Sequence, residues 1–305
     1  MVHGSKSFSL ASVLLPRRVR DAATALYAFC RLADDAVDAD PSATTETVER
    51  LRKRLDDLYR MRPLDHPVDR ALSVIVARER LPKAPLEGLL EGFAWDAVGR
   101  RYETLAEVEA YAARVAATVG TAMTIIMGRR NATTLARACD LGVAMQLTNI
   151  ARDVGEDAAN GRIYLPLSWM REEGVDPDAW LADPRPSDGV RRVVERLLDA
   201  ADALYARADE GIPFLPADCR TAIRAARLVY SDIGRSIAKA GFDSVTRRAH
   251  VPLARKLWLL VRSLGARWMS VKPKHEPPLE PVRFLVDACG SDDDAAHESA
   301  VAEPA

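Results

Sequence analysis

Aromatic residues make up only 6% of the 305-residue chain, with four cysteines and five histidines. Each scarcity excludes a class of protein. Cys30, Cys139, Cys219 and Cys289 lie far apart with no C-x-x-C pair, so neither a disulfide framework nor a cysteine-ligated metal centre is encoded. Reduced thiols in a cytoplasmic protein are expected instead. The histidines are scattered with no pair at metal-ligand spacing. No glycine-rich phosphate loop and no dinucleotide fingerprint occurs. Excess charge is missing too: 43 basic residues stand against 44 acidic ones, for a formal net charge of −1. A domain-wide positive field is thereby ruled out, and nucleic acid is not an expected partner. Runs of about 18 uninterrupted apolar residues are absent, so no transmembrane helix is expected. The opening stretch MVHGSKSFSLASVLLPRRVR has no apolar core of signal-peptide type.

What is present is helix-forming sequence. Ala, Leu, Arg and Glu fill long segments, and period-two runs of β-branched residues are nearly absent. The pattern predicts helices near 18–38, 42–61, 67–80, 85–99, 104–128, 132–158, 166–173, 187–210, 216–240 and 250–269. Pro41, Pro67, Pro177 and Pro216 stand where first helical turns would begin, and Thr104 with Glu107 reads as a capping box. Short connections favour one antiparallel bundle, so an all-α single domain is expected over 1–270. Beyond it, 271–305 is rich in Pro, Asp and Ala and is expected to be a disordered tail.

Two acidic stripes carry the chemistry. In CRLADDAVD, Arg31, Asp34, Asp35 and Asp38 share one helical face by their i, i+3, i+4, i+7 spacing. Like charges so arranged repel, and a hard cation such as Mg²⁺ would relieve them. A solvated acidic face would look the same. Asp65 and Asp69 repeat the D-x-x-x-D spacing around Pro67, and read as capping and solvated surface. The second stripe is more demanding. Between Leu141 and Asp157 a helix apolar on most sides carries one polar line, Gln146, Asn149, Asp153 and Asp157. A buried amide or carboxylate without partners costs several kcal/mol, so the line needs a structural polar network or a wet, metal-bearing cavity. Two such stripes facing each other could hold two or three Mg²⁺ ions, and those ions a diphosphate.

At these residues the chain resembles the squalene/phytoene synthase family, in particular its phytoene-forming bacterial branch. The matching blocks are GSKSF (4–8), ALYAFCRLADDAVD (25–38), YAARVAATVG (111–120) and QLTNIARDVGEDAANGRIYLP (146–166). The resemblance spans about residues 4–270. It implies an isoprenoid synthase-type bundle around a central cavity. It also implies head-to-head condensation of two geranylgeranyl diphosphates, through a cyclopropyl diphosphate, to 15-cis-phytoene. By the same resemblance Asp34, Asp38, Asp153 and Asp157 bind Mg²⁺, which Mn²⁺ can replace, with Asn149 as a further ligand and Asp35 and Glu156 in support. Arg31, Gln146, Asn149, Arg152, Arg162, Lys6, Ser7, Tyr27 and Tyr164 would meet the diphosphate. Tyr111 and Tyr230 would stand near the reacting carbons. No NADPH is expected. Two alternatives stay open: a C30 enzyme using farnesyl diphosphate, and a catalytically silent relative that binds isoprenoid diphosphates.

The same block departs from the family at Ala112 and Ala117, where Cys and Gly are frequent. Small residues at Ala116, Ala117, Gly120 and Ala122 suggest either close helix packing or, with Ser9 and Ser12, a prenyl tunnel. Pro16-Arg17-Arg18 and Arg247-Arg248 read as solvated surface, with contact to anionic lipid as the alternative. Lipid substrates and product favour a peripheral contact at the inner face of the membrane, which no single segment declares.

Overall fold

A computed structural model describes residues 13–38, 44–269 and 276–291. Lys6, Ser7, Ser9 and Ser12 lie outside the described residues, as does the side chain of Asp38. The described residues form helices and turns, with no strand among them. In chain order the helices are α1 (Arg17–Asp38), α2 (Thr44–Tyr59), α3 (Pro67–Glu79), α4 (Ala84–Ala97) and α5 (Leu105–Ala112). They continue as α6 (Thr118–Ile126), α7 (Ala132–Ala159), α8 (Leu167–Glu172), α9 (Pro177–Ala182), α10 (Asp188–Asp209), α11 (Ala217–Lys239), α12 (Leu253–Ser263) and α13 (Arg283–Cys289). The cap read at Thr104 is present, its hydroxyl accepting from the Glu107 N–H, and α7 has one of its own, the Asn131 side chain accepting from the Thr134 N–H. The short helix α9 begins at Pro177, capped by Asp176, where the sequence marks a helix start, though no helix range was expected there. At six residues it offers too little periodicity to be read.

The axis of the bundle is α7, which packs against α5, α6, α10, α11 and α13. Its approach to the neighbouring turn is unusually close. A Cβ on Gly142 would stand 2.7 Å from Ala117 Cα, so only glycine lets the two backbones touch. At that point the helix expected to run unbroken over 104–128 opens into a π-helical turn, Ala113–Ala117, between α5 and α6. All four cysteines are free thiols.

Two expectations need correction. Asp69 is not solvated surface: it is 0% exposed and takes a bidentate grip from Arg54, with Nε at 2.8 Å and Nη2 at 2.7 Å. Its neighbour Asp65 is 92% exposed and pairs with Arg70. The spacing was the same; a long-range partner on α2 decided the difference. Removing one partner of a buried pair strands the other, so Asp69→Ala is expected to cost about 2–3 kcal/mol. Asp65→Ala should leave the urea midpoint unchanged. The second correction concerns the tail. Disorder from 271 onward does not describe α13, whose Leu285, Val286 and Cys289 are buried against α4, α6 and α7. The apolar run Phe284–Val286 was diluted by the prolines and aspartates around it when the segment was judged by composition.

Candidate functional site

Two adjoining cavities run along α7. The polar one, about 360 Å³, is walled by Arg31 and Asp34 from α1, Asp96 from α4, and Gln146, Asn149, Arg152, Asp153 and Asp157 from α7. Tyr111, Arg162, Tyr164 and Arg248 complete it. The two acidic stripes therefore do meet across one space. The apolar cavity, about 340 Å³, takes Ala116 from the turn between α5 and α6, Val119 and Gly120 from α6, and Leu141 and Met145 from α7. Ala222, Ile223, Ala226 and Tyr230 of α11 close another side. Tyr27, Cys30, Val115, Val119, Gln146 and Asn149 line both, so the cavities share one wall. Arg137 borders the apolar cavity as well, 2% exposed and paired with Asp140 at 2.9 Å. At 1.5 Å rise per residue, Arg137 lies roughly 24 Å from Asp153 along α7.

Charge inside the polar cavity is unevenly balanced. Asp153 receives Arg152 at 2.7 and 2.5 Å and Arg248 at 2.7 and 3.2 Å. Burial pushes its carboxyl up, yet these two guanidiniums outweigh burial and hold it below the ordinary value. Asp157 has no such pair. Burial, reinforced by the charges of Asp153 and Glu156, lifts it to about 7. Asn149 donates to Gln146 Oε1 at 3.2 Å, while its own buried Oδ1 accepts no hydrogen bond. The crowded Asp157 carboxylate and the orphaned Asn149 amide oxygen line the same cavity, and both are oxygen donors of the kind a hard cation takes. Among the described residues, no three His, Cys, Asp or Glu side chains converge tightly enough to form a metal centre by themselves.

On the opposite wall, Asp96 accepts from Tyr111 at 2.8 Å and from Tyr164 at 2.7 Å. Burial raises Asp96 to about 6, and the two phenols oppose that rise. The rings of Tyr111 and Tyr164 stack at 5.1 Å, and Tyr102 stands 5.2 Å from Tyr111. Because Tyr111 gives its proton to Asp96, its oxygen has only lone pairs left for an occupant of the cavity.

Several residues fall elsewhere than the sequence suggested. Asp35 does not line the polar cavity; it is 58% exposed and paired outward with Arg31 at 2.6 Å. Arg31 also reaches Asp34 at 3.2 Å. Glu156 sits outside the cavity, holding Arg248 at 2.9 Å. Arg248 itself was read as solvated surface and is instead part of the site, because the turn at 243–246 folds back over α7. Arg18, read in the same way, pairs with Asp218 at 2.8 Å. Asp96 was missed altogether. A lone Asp near a helix end carries no pattern, and only its two phenol partners reveal it. The small-residue stripe divides between two uses: Ala116 and Gly120 face the apolar cavity, whereas Ala117 packs on Gly142.

A family model for squalene/phytoene synthases matches residues 1–255. A phytoene synthase of Rhodobacter capsulatus is 54% identical over 93% of this chain and 86% of that protein. A 15-cis-phytoene synthase of a Paracoccus species is 41% identical over 85% of this chain and 87% of that one. Among solved structures, a dehydrosqualene synthase superposes with a TM-score of 0.77 at 34% identity, covering 85% of this chain and 90% of that one. A squalene synthase from Alicyclobacillus acidocaldarius does so at 0.73 and 27% identity, over 77% and 89%.

Proposed function

The chain belongs to the squalene/phytoene synthase family, and from that premise we propose that it is a prenyltransferase joining two geranylgeranyl diphosphates head to head into 15-cis-phytoene. One observation carries this reading: a cavity of carboxylates and guanidiniums shares a wall with an apolar cavity. Such a site suits a molecule with an anionic head and a long hydrocarbon tail. The product class follows the curated relatives, which are phytoene synthases at 54% and 50% identity.

In the first half-reaction, the C1–O bond of one substrate breaks and pyrophosphate departs. The allylic cation adds to a double bond of the second substrate, a proton is lost, and a cyclopropyl diphosphate forms. Loss of the second pyrophosphate, rearrangement and a further proton loss give the C40 hydrocarbon. Arg31, Arg152 and Arg162 bind the diphosphates, where guanidinium forks match phosphate oxygens. Gln146, Tyr27 and Tyr164 position them, with Lys6 and Ser7 assigned the same role from the sequence alone. Asp34, Asp38, Asn149, Asp153 and Asp157 are the residues that would hold Mg²⁺. Bound there, the ion would neutralise diphosphate charge and stabilise the leaving pyrophosphate. Tyr111 and Tyr230 line the cavity walls next to the reacting carbons, and their electron-rich faces favour a passing cation. The apolar cavity excludes water, which would otherwise capture that cation.

The test is to incubate purified protein and Mg²⁺ with geranylgeranyl or farnesyl diphosphate, with and without NADPH, and identify the hydrocarbon. A C40 product formed without NADPH is expected. A C30 product would move the enzyme to the farnesyl branch, and no turnover would make it a silent relative. Tail room has its own test. Ala116→Phe fills part of the apolar cavity and is expected to shift preference from C20 toward C15 substrates by roughly tenfold or more in kcat/KM. Unchanged C40 output would remove Ala116 from the tail-binding wall.

A further inference from the structure

The segment formed by α12 and the following turn, Leu264–Trp268, has two apolar edges. One of them is buried: Leu259 and Ser263 are 0% exposed, and Ala266 is 2%. This edge packs against α11. The other edge has no protein over it among the described residues. Leu253, Leu257, Val261, Leu264 and Trp268 recur at steps of 4, 4, 3 and 4, the spacing of one helical stripe. They are 67%, 51%, 65%, 55% and 77% exposed. Single exposed leucines are ordinary on a protein surface, but a continuous stripe of five marks an interaction face.

The flanking charges select the occupant. Residues 253–268 contain Arg255, Lys256, Arg262 and Arg267 and no Asp or Glu; Arg255 is held by Asp232 of α11 at 2.7 Å, so the charge that meets an anion comes from Lys256, Arg262 and Arg267. Trp258 sits between two of these cations, with the guanidinium of Arg255 at 4.3 Å and that of Arg262 at 4.8 Å from its ring. A second copy of this chain would bring the same positive charges against each other, which disfavours self-association through this face. An apolar stripe edged by Trp, Arg and Lys is the pattern of a helix lying in a membrane interface. We propose that Leu253–Trp268 docks the enzyme on an anionic lipid surface, with the stripe entering the headgroup–acyl boundary and the cations meeting lipid phosphates.

The location adds a consequence. The helix α11 on which this segment rests also supplies Ala222, Ile223, Ala226 and Tyr230 to the apolar cavity. Docking therefore sets one wall of that cavity beside the bilayer, where a water-insoluble product has to go. That consequence rests on the proposed reaction; the docking itself does not.

The experiment is flotation of the full chain, without substrate, with vesicles of phosphatidylcholine alone or containing phosphatidylglycerol. Binding is expected to the anionic vesicles and to weaken as salt is raised. Val261→Asp combined with Leu264→Asp should reduce it at least tenfold. Lys256→Gln, Arg262→Gln and Arg267→Gln together should remove the preference for phosphatidylglycerol. Val261, Leu264, Arg262 and Arg267 are exposed and Lys256 is half-buried, so far-UV circular dichroism and turnover of detergent-dispersed substrate should match the parent. Failure of the parent to float, or equal flotation of parent and Asp variant, would overturn the proposal. So would a dimer in sedimentation velocity that the Asp substitutions dissociate, because a second copy would then cover the stripe. Since no substrate is present, a wrong assignment of the reaction leaves this result untouched.

Discussion

Replacing Asp153 by alanine is expected to lower turnover by roughly 10³-fold or more while leaving helical content near that of the parent. Two separate losses combine. The carboxylate proposed as a metal ligand disappears, and interactions of this kind contribute several kcal/mol to the transition state, with each 1.36 kcal/mol worth a factor of ten. Arg152 and Arg248 also lose their shared acceptor, to which they donate at 2.5–3.2 Å. Arg152 is only 9% exposed, so water cannot readily replace the carboxylate. Asp34→Ala should fall as far, because Asp34 supplies the facing wall. The informative control is the adjacent residue. Asp35 points outward to Arg31, and Asp35→Ala should retain activity within a few-fold. Retained turnover in either Asp34→Ala or Asp153→Ala would refute the metal assignment. An Asp35→Ala enzyme as inactive as Asp34→Ala would show that the whole stripe, rather than its inward edge, is used.

Gly155→Ala should damage the same site without touching any charged group. A Cβ at position 155 would lie 2.1 Å from the Val245 carbonyl oxygen, far inside contact distance. The backbone N–H of Gly155 also donates to Ser244 O at 2.9 Å, so helix and loop meet with no space to spare. The loop cannot yield freely. Asp243 accepts from the Val245 and Thr246 N–H groups at 3.1 and 3.0 Å and from the Thr246 hydroxyl at 2.6 Å. Displacing this turn moves Arg248 away from Asp153 and Glu156. Overpacking of this kind costs about 1–3 kcal/mol of stability, and misplacing a charged group at the site should lower kcat by roughly 10²-fold. Denaturation and steady-state kinetics check the two effects separately. Arg248→Ala should share the kinetic loss and keep most of the stability. A Gly155→Ala protein with parental kinetics would mean that the turn leaves Arg248 in place, and an Arg248→Ala protein with parental kinetics would mean that Arg248 has no part in turnover.

Legibility of the site followed the distance over which each residue's role is decided. Gln146, Asn149, Asp153 and Asp157 were readable because they share one helix, and helical spacing alone puts them on one face. Between Asp34 and Asp35 spacing was silent: both lie within the same acidic stripe, Arg31 reaches both inside the helix at 3.2 and 2.6 Å, and which of the two lines the cavity is a tertiary outcome. Asp96, Tyr111 and Tyr164 come from three distant stretches, so the hydrogen-bonded group they form left no local trace. Asp69 and Arg248 were misread for the same reason, since in each case the partner that buries or recruits the residue is remote in sequence. The exposed stripe of α12 is the converse case. Its periodicity was visible, but which of its two apolar edges meets the core could be decided only by α11.

Sequence by itself determined the all-helical fold, most helix starts, the acidic line on α7 and the family, because propensity, capping and periodicity act over a few residues and the family motifs are contiguous. Tertiary structure decided which carboxylates face inward, which arginines join them, and that the polar and apolar cavities share a wall. Those outcomes depend on how separate helices pack, and packing couples residues that no spacing rule connects.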